Sequence, residues 1–169
     1  IVTQLLQFAR PAEYAGYVEP VDVNAVLKNS LVLASHGLAK SGIAVQQDLQ
    51  ATGRTAINRN ELQQVLVNLL VNAIHAMPEG GTLELVSRDL PGGGIELVVR
   101  DSGPGLGAEL LAELFKPFVT RKKDGTGLGL WISRTLLERY GGDLLAADRA
   151  DGQTGAEFTV RLRSEGAAR

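Results

Sequence analysis

Residues 61–80 read ELQQVLVNLLVNAIHAMPEG. Leu62, Leu66, Leu69, Ala73 and Met77 recur three or four residues apart, which is one face of a helix. Glu61, Val65, Asn68, Asn72 and His75 recur at the same spacing on another face. Asn58 and Glu61 stand at capping-box distance, so they open the helix, and Pro78, Gly80 and Gly81 close it near Met77. Asparagine is a poor helix former, yet it interrupts this apolar run twice. A neutral amide oxygen suits Mg²⁺ when phosphate oxygens supply the charge. The helix alone leaves that reading level with a plainer one, in which Asn68 and Asn72 bond local backbone or face water. Taken alone, His75 reads as a polar rim residue.

Outward from this helix the pattern alternates between layers. Val26, Leu27, Ser30, Leu33 and Ala34 mark the buried stripe of a helix over 23–39, with Asp22 as its cap. GIAVQQDL predicts a strand at 43–49, and TAIN a short edge strand. TLELVSRD and GIELVVRD form two strands around a DLPGGG hairpin loop. ELLAELF supplies a turn or two of helix. TGLGLWISRTLLERYG supplies a longer one, ended by Gly141 and Gly142. DLLAADRA and GAEFTVRL close the chain as a strand pair. Paired strands outnumber crossovers in this order. The expected fold is therefore a two-layer α/β sandwich, a mixed and mostly antiparallel sheet faced by three helices, rather than a doubly wound parallel sheet.

The chain has 169 residues, no cysteine and a formal charge of −2. The length suits one domain. Lack of cysteine removes disulfides, thiolate metal sites and cysteine nucleophiles. The charge gives no basic field for nucleic acid, and no apolar run reaches the length of a membrane span. The chain begins at Ile1 without methionine, which suggests a piece of a longer protein.

Two glycine clusters are candidates for the chemistry, with a plain turn and a flexible capped loop as the respective alternatives. DSGPGLG, residues 101–107, follows the strand IELVVR. Asp101 can accept a hydrogen bond from an amino group at the sheet's end, and Gly103 and Gly105 let backbone pass close to a flat ring. A plain turn is the alternative. GTGLGL, residues 125–130, runs straight into a helix, where backbone N–H groups can cradle phosphate. It lacks the P-loop lysine, and no GxGxxG follows the first strand. Between the clusters, FKPFVTRKKDG reads as a hinged lid, anchored by Phe115 and Phe118 and carrying Lys122 and Lys123, with a solvated charge run as the alternative for Arg121, Lys122 and Lys123.

ELQQVLVNLLVNA, DSGPGLG, FKPFVTRK and GTGLGLWISR, in that order, resemble the N box, first glycine box, F box and second glycine box of bacterial sensor histidine kinases. The form of the last two is most similar to the nitrogen-regulatory branch. The resemblance covers about residues 20–162. It implies the Bergerat ATP-binding fold, shared with DNA gyrase B and the Hsp90 chaperones, with ATP and Mg²⁺ bound. It assigns Asn72 to the metal and Asn68 to its upstream companion. Asp101 goes to the adenine amino group, with Gly103, Gly105 and Leu106 beside the ring. Gly125, Thr126, Gly127, Leu128, Gly129 and Leu130 lie by the phosphates, with Lys122 or Lys123 as a lid contact. Thr159, in the last strand, is a weaker match to a polar residue near adenine. His75 stands where many of these kinases carry a lysine or arginine. Nucleotide affinity is then expected to rise as pH falls through about 6.5, the ordinary imidazole value.

The resemblance also divides the chain. Residues 1–10 match the end of the second dimerisation helix, 11–19 a linker, 20–163 the catalytic domain and 164–169 a disordered tail. The phosphoacceptor histidine of such kinases lies on a first dimerisation helix, and neither His36 nor His75 has that context. The implied reaction transfers the ATP γ-phosphoryl group to a histidine of the parent protein. Partners are its dimerisation domain and a response regulator, without nucleic acid or direct membrane contact. A cytoplasmic, monomeric fragment and a dimeric parent, membrane-anchored or not, are expected. Related ATPases place a general-base glutamate where this chain has Asn68, which cannot take a proton from water. That argues against a hydrolytic ATPase of the same superfamily. The helical start at residues 1–10 argues against a serine kinase of the anti-sigma-factor type.

Overall fold

A computed structural model describes residues 17–117 and 129–165. In chain order the elements are β1 (Val18–Asp22), α1 (Val23–Ser41), β2 (Ile43–Leu49), β3 (Arg54–Asn58), α2 (Arg59–Ala76), β4 (Gly81–Leu90), β5 (Gly94–Arg100), α3 (Gly107–Glu113), α4 (Gly129–Arg139), β6 (Asp143–Asp148) and β7 (Ala156–Arg163). The expected dimerisation helix at 1–10, most of the 11–19 linker and residues 118–128 lie outside the described residues. So do Lys122, Lys123, Gly125, Thr126, Gly127 and Leu128 of the anticipated lid and phosphate loop.

Local chemistry sets the helix ends. Asp22 accepts the N–H groups of Asn24 and Ala25 and starts α1, and Gly42, at φ 72°, ends it. Asn58 accepts the Glu61 N–H at 3.0 Å and starts α2. The Glu61 carboxylate turns away from the cap. It accepts the Tyr140 hydroxyl at 2.7 Å instead.

The main sheet has the order β2-β4-β5-β7-β6. Its β2–β4 pair is parallel, because β3 and α2 make the crossover, and its other pairs are antiparallel. Alternation sorts the two faces. Leu83, Leu85, Ile95, Leu97, Val99, Phe158, Val160 and Leu162 are buried with Val26, Leu27, Leu66, Leu69, Leu70, Ile132 and Leu136 of the helices. This is the expected two-layer sandwich, with the short α3 beside the three longer helices.

The opposite sheet face carries two rows of charge. Glu84, Arg100 and Glu157 stand opposite one another on β4, β5 and β7, and Arg100 bonds both carboxylates at 2.8 Å. Glu157 first, then Glu84, holds the Arg100 guanidinium above its usual pKa. Further along the same strands, Arg88, Glu96 and Arg161 form the inverse row, with Glu96 between the cations.

Four expectations need correction. The strand at TAIN does not join the main sheet; as β3 it pairs with β1 in a separate ribbon, Val18 opposite Asn58. Leu33 is 61% exposed rather than part of the α1 stripe, because it lies on the outward side next to Val32. The DLPGGG loop is tighter than expected, since Asp89 and Leu90 pair with Ile95 and Gly94. Ser164 and Glu165, expected in the tail, are tied to the fold, because Ser164 N–H bonds Gly93 and Glu165 N–H bonds Arg54. Asp89 also accepts the N–H groups of Thr52 and Gly53 and the Thr52 hydroxyl, clipping the β2–β3 turn to the sheet. The Thr52 hydroxyl first, then the two N–H groups, pulls its pKa below the usual carboxylate value. Among the described residues no helix is long and apolar enough to cross a membrane.

Candidate functional site

β5 places Ile95, Leu97 and Val99 toward the helices, and the same alternation carries Asp101 to that side just past the strand's end. Asp101 is 4% exposed. Its Oδ1 accepts the N–H of Gly103 at 2.9 Å and of Ala156 at 3.1 Å. Oδ2 accepts none of these bonds. A buried carboxylate fixed by one oxygen presents the other in a set direction, as recognition of an amino group requires.

The residues after Asp101 rest on the end of α2. A Cβ on Gly103 would lie 2.7 Å from the Ala76 carbonyl oxygen, so glycine permits that approach. Ser102 Oγ accepts the Thr82 N–H at 2.9 Å and fastens the turn to β4. Two turns earlier on the same helix, the first residue of α4 makes an equally close contact. A Cβ on Gly129 would lie 2.7 Å from Asn68 Oδ1. Asn68 Nδ2 donates to Ser133 Oγ at 3.3 Å, which ties α2 to α4.

Asn68, Asn72 and Ala76 follow one another at helical spacing. The two docking contacts, at Asn68 and Ala76, are therefore about 12 Å apart along the axis, with Asn72 one turn from each. Along α2 the half-buried Asn72 thus lies between the contact with the Asp101 turn and the contact with the start of α4. His75 is exposed on the last turn of α2, and Leu130 is half-buried in the first turn of α4. Among the described residues no group of three His, Cys, Asp or Glu side chains is assembled that could hold a metal ion.

Thr159 is not brought to this site. It alternates with the buried Phe158 and Val160, and it pairs with Val98 on the charged face of the sheet. The residue of β7 that reaches Asp101 is Ala156. Gly103 and Gly105 pass close to the protein itself, Gly103 to Ala76 and Gly105 to Asp148.

Two site neighbours escape sequence reading, Asp148 and Arg149. Asp148 accepts the N–H of Leu106 at 2.6 Å and of Gly107 at 2.9 Å. The Arg149 side chain is 2% exposed, and it donates to the Asp101 carbonyl at 3.2 Å and to Asp151 at 2.6 Å. The Asp151 bond is the main cause that raises its pKa above the usual guanidinium value. Leu106, Gly107 and Asp101 are 41 to 48 residues away from these two along the chain, beyond any local pattern. Phe115 of the F box packs on the core, with the Arg134 guanidinium 4.7 Å from its ring centre.

Residues 57–166 match the family model of histidine kinase-, DNA gyrase B- and HSP90-like ATPases. The chain is 37% identical over 167 residues to the sensor histidine kinase ZraS of Klebsiella oxytoca, covering 98% of this chain and 35% of that protein. It thus spans about a third of the length of that relative. The catalytic domain of histidine kinase ThkA superposes with a TM-score of 0.79 at 30% identity, covering 88% of this chain and 97% of that one. Full-length ShkA in complex with AMPPNP superposes at 0.81 with 29% identity, covering 99% of this chain and 36% of that one. The ordered boxes, the sandwich and the family match agree: this chain belongs to the histidine kinase-, DNA gyrase B- and HSP90-like ATPases.

Proposed function

We propose that this chain is the ATP-binding catalytic unit of a sensor histidine kinase. It directs the γ-phosphoryl group of ATP to a histidine on a dimerisation helix of a larger dimeric protein, which passes it to a response regulator. The observation that carries the proposal is the shared mounting on α2. The Asp101 turn docks at Ala76, α4 docks at Asn68, and Asn72 lies between them.

Asp101 Oδ2 accepts the adenine amino group, and a guanine would set a carbonyl oxygen against it. Gly103, Gly105 and Leu106 support the ring. The backbone from Gly125 to Leu130 takes the phosphates, with Lys122 or Lys123 over them, and His75 is a candidate for a further phosphate contact. The Asn72 amide oxygen would hold Mg²⁺, which when bound offsets phosphate charge. The site suits that ion because Asn72 lies within a turn of the α4 start, where the glycine run would bring the phosphates. Positioning is the main task of the chain. A neutral imidazole nitrogen attacks phosphorus, the bond to the ADP oxygen breaks, and the imidazole proton leaves to solvent. Asn68 is no base, so water is not activated and hydrolysis stays slow.

Calorimetry with ATP and GTP, with and without Mg²⁺, tests the proposal on wild type, Asn72→Ala and Asp101→Asn. Wild type should prefer ATP. Asp101→Asn should lose about tenfold or more of that preference, the worth of a charged hydrogen bond. Asn72→Ala should lose most of the Mg²⁺ dependence. Rapid ATP turnover by the chain alone would contradict the kinase reading.

A further inference from the structure

The stretch from Asp101 to Gly107 is held at both ends by two adjacent residues at the end of β6. At its start, Arg149 donates to the Asp101 carbonyl. Arg149 is itself fixed by Asp151 at 2.6 Å and Glu84 at 3.4 Å, and its backbone N–H bonds Gly155 at 3.0 Å. At the end of the stretch, Asp148 accepts from Leu106 and Gly107. Helix α3 begins there with Leu106 at its cap position, which supplies no side-chain bond. Asp148 thus performs from another element the capping that the local residue lacks. Gly105, at φ 84°, passes so close to Asp148 that a Cβ would lie 2.9 Å from its Oδ1. Gly155, next to Ala156, is required in the same way, because a Cβ there would collide with the Asp101 carbonyl.

We propose that Asp148 and Arg149 are positioning residues for purine selection. The start of the β6–β7 connection acts as a template that fixes the height and tilt of the 101–107 turn against the base. Neither residue touches the nucleotide. They act through Asp101 and through the backbone from Gly105 to Gly107. The inference rests on the reading of Asp101 as the adenine contact. Discrimination between adenine and guanine needs a carboxylate oxygen held to a fraction of an ångström. Asp101 is the buried side chain, but its direction depends on the turn that carries it.

Asp148→Asn is the informative variant, because it keeps size and exposure. Its amide offers one acceptor oxygen where two N–H groups need two, and its own NH₂ would face one of them. Three ligands are titrated into the intact chain: ATP, GTP and Mg²⁺–tripolyphosphate. The expected result is an ATP dissociation constant raised about tenfold, an ATP-to-GTP preference reduced by a similar factor, and unchanged tripolyphosphate binding. Asp148→Ala should do the same or more, and thermal melting accompanies each variant. An unchanged ATP-to-GTP ratio in both variants overturns the inference. So does a parallel loss of all three ligands with a lowered Tm, which marks a purely structural role. A wild-type chain without preference for ATP overturns the adenine site itself and this inference with it.

Discussion

Gly129 and Asn68 show how one missing methyl group sets a functional distance. The α4 start sits against the Asn68 amide because Gly129 has no Cβ. Gly129→Ala would place that carbon 2.7 Å from Asn68 Oδ1, the tip of a side chain that can rotate away. Stability should therefore fall by less than about 1 kcal/mol, since the loss is one Asn68–Ser133 bond. Nucleotide affinity should fall further than stability does. In an Asn68→Ala background the added methyl group should cost little more, and a double-mutant cycle of melting and calorimetry reads the coupling. At this scale the sequence was readable where spacing alone decides position. Asn68 and Asn72 share a helix face because they are four residues apart. Thr159 lies one step of strand alternation from the helix-facing side, and the deciding register, Val98 opposite Thr159, depends on a strand much earlier in the chain.

Among elements, the pairing of α2 with α4 rests on a buried carboxylate. Glu61 is 2% exposed, it accepts the Tyr140 hydroxyl, and Arg139 stands 3.7 Å from its other oxygen. Burial first, then the Glu61 bond, pushes the Tyr140 hydroxyl up to about 12 from its ordinary 10.0. The folded state therefore binds a proton more tightly than the unfolded one. The resulting stability is fully present below pH 10.0 and is lost as pH rises toward about 12. Tyr140→Phe should cost about 1–3 kcal/mol at neutral pH, because it leaves a buried carboxylate oxygen without its donor. Denaturant midpoints for wild type and variant should converge as pH climbs through that window, and parallel curves would refute the link. Periodicity predicts both helices, and spacing predicts the Asn58–Glu61 cap. Neither predicts the partner that captures Glu61, because Tyr140 lies 79 residues away. The β1–β3 ribbon is hidden for a similar reason: VEPVD carries a proline and little alternation, and pairing with β3 is what makes it a strand.

For the molecule as a whole, one sheet face is covered by helices and the other is finished with charge. Layer order was legible because buried strands and amphipathic helices differ in period. The charged rows were not, since each row draws one residue from each of three strands. Glu96 is the test position, 4% exposed between Arg88 and Arg161, whose side chains are 60% and 55% exposed. Because both cations are largely hydrated, Glu96→Gln should cost only about 1 kcal/mol. The deficit should shrink in about 1 M salt, where screening acts within a few ångströms. A salt-independent deficit would mean that packing rather than charge explains Glu96. The ribbon has a mechanical corollary. Tyr17 accepts the side-chain amide of Asn58 on its carbonyl at 3.0 Å, and Val18 pairs with the same residue. Tension arriving through the backbone ahead of Tyr17 would load the ribbon at that end, so its rungs would unzip in succession instead of shearing together. The first rung is also the footing of α2, and a tug there is delivered to the helix that bears both asparagines before it reaches the sheet.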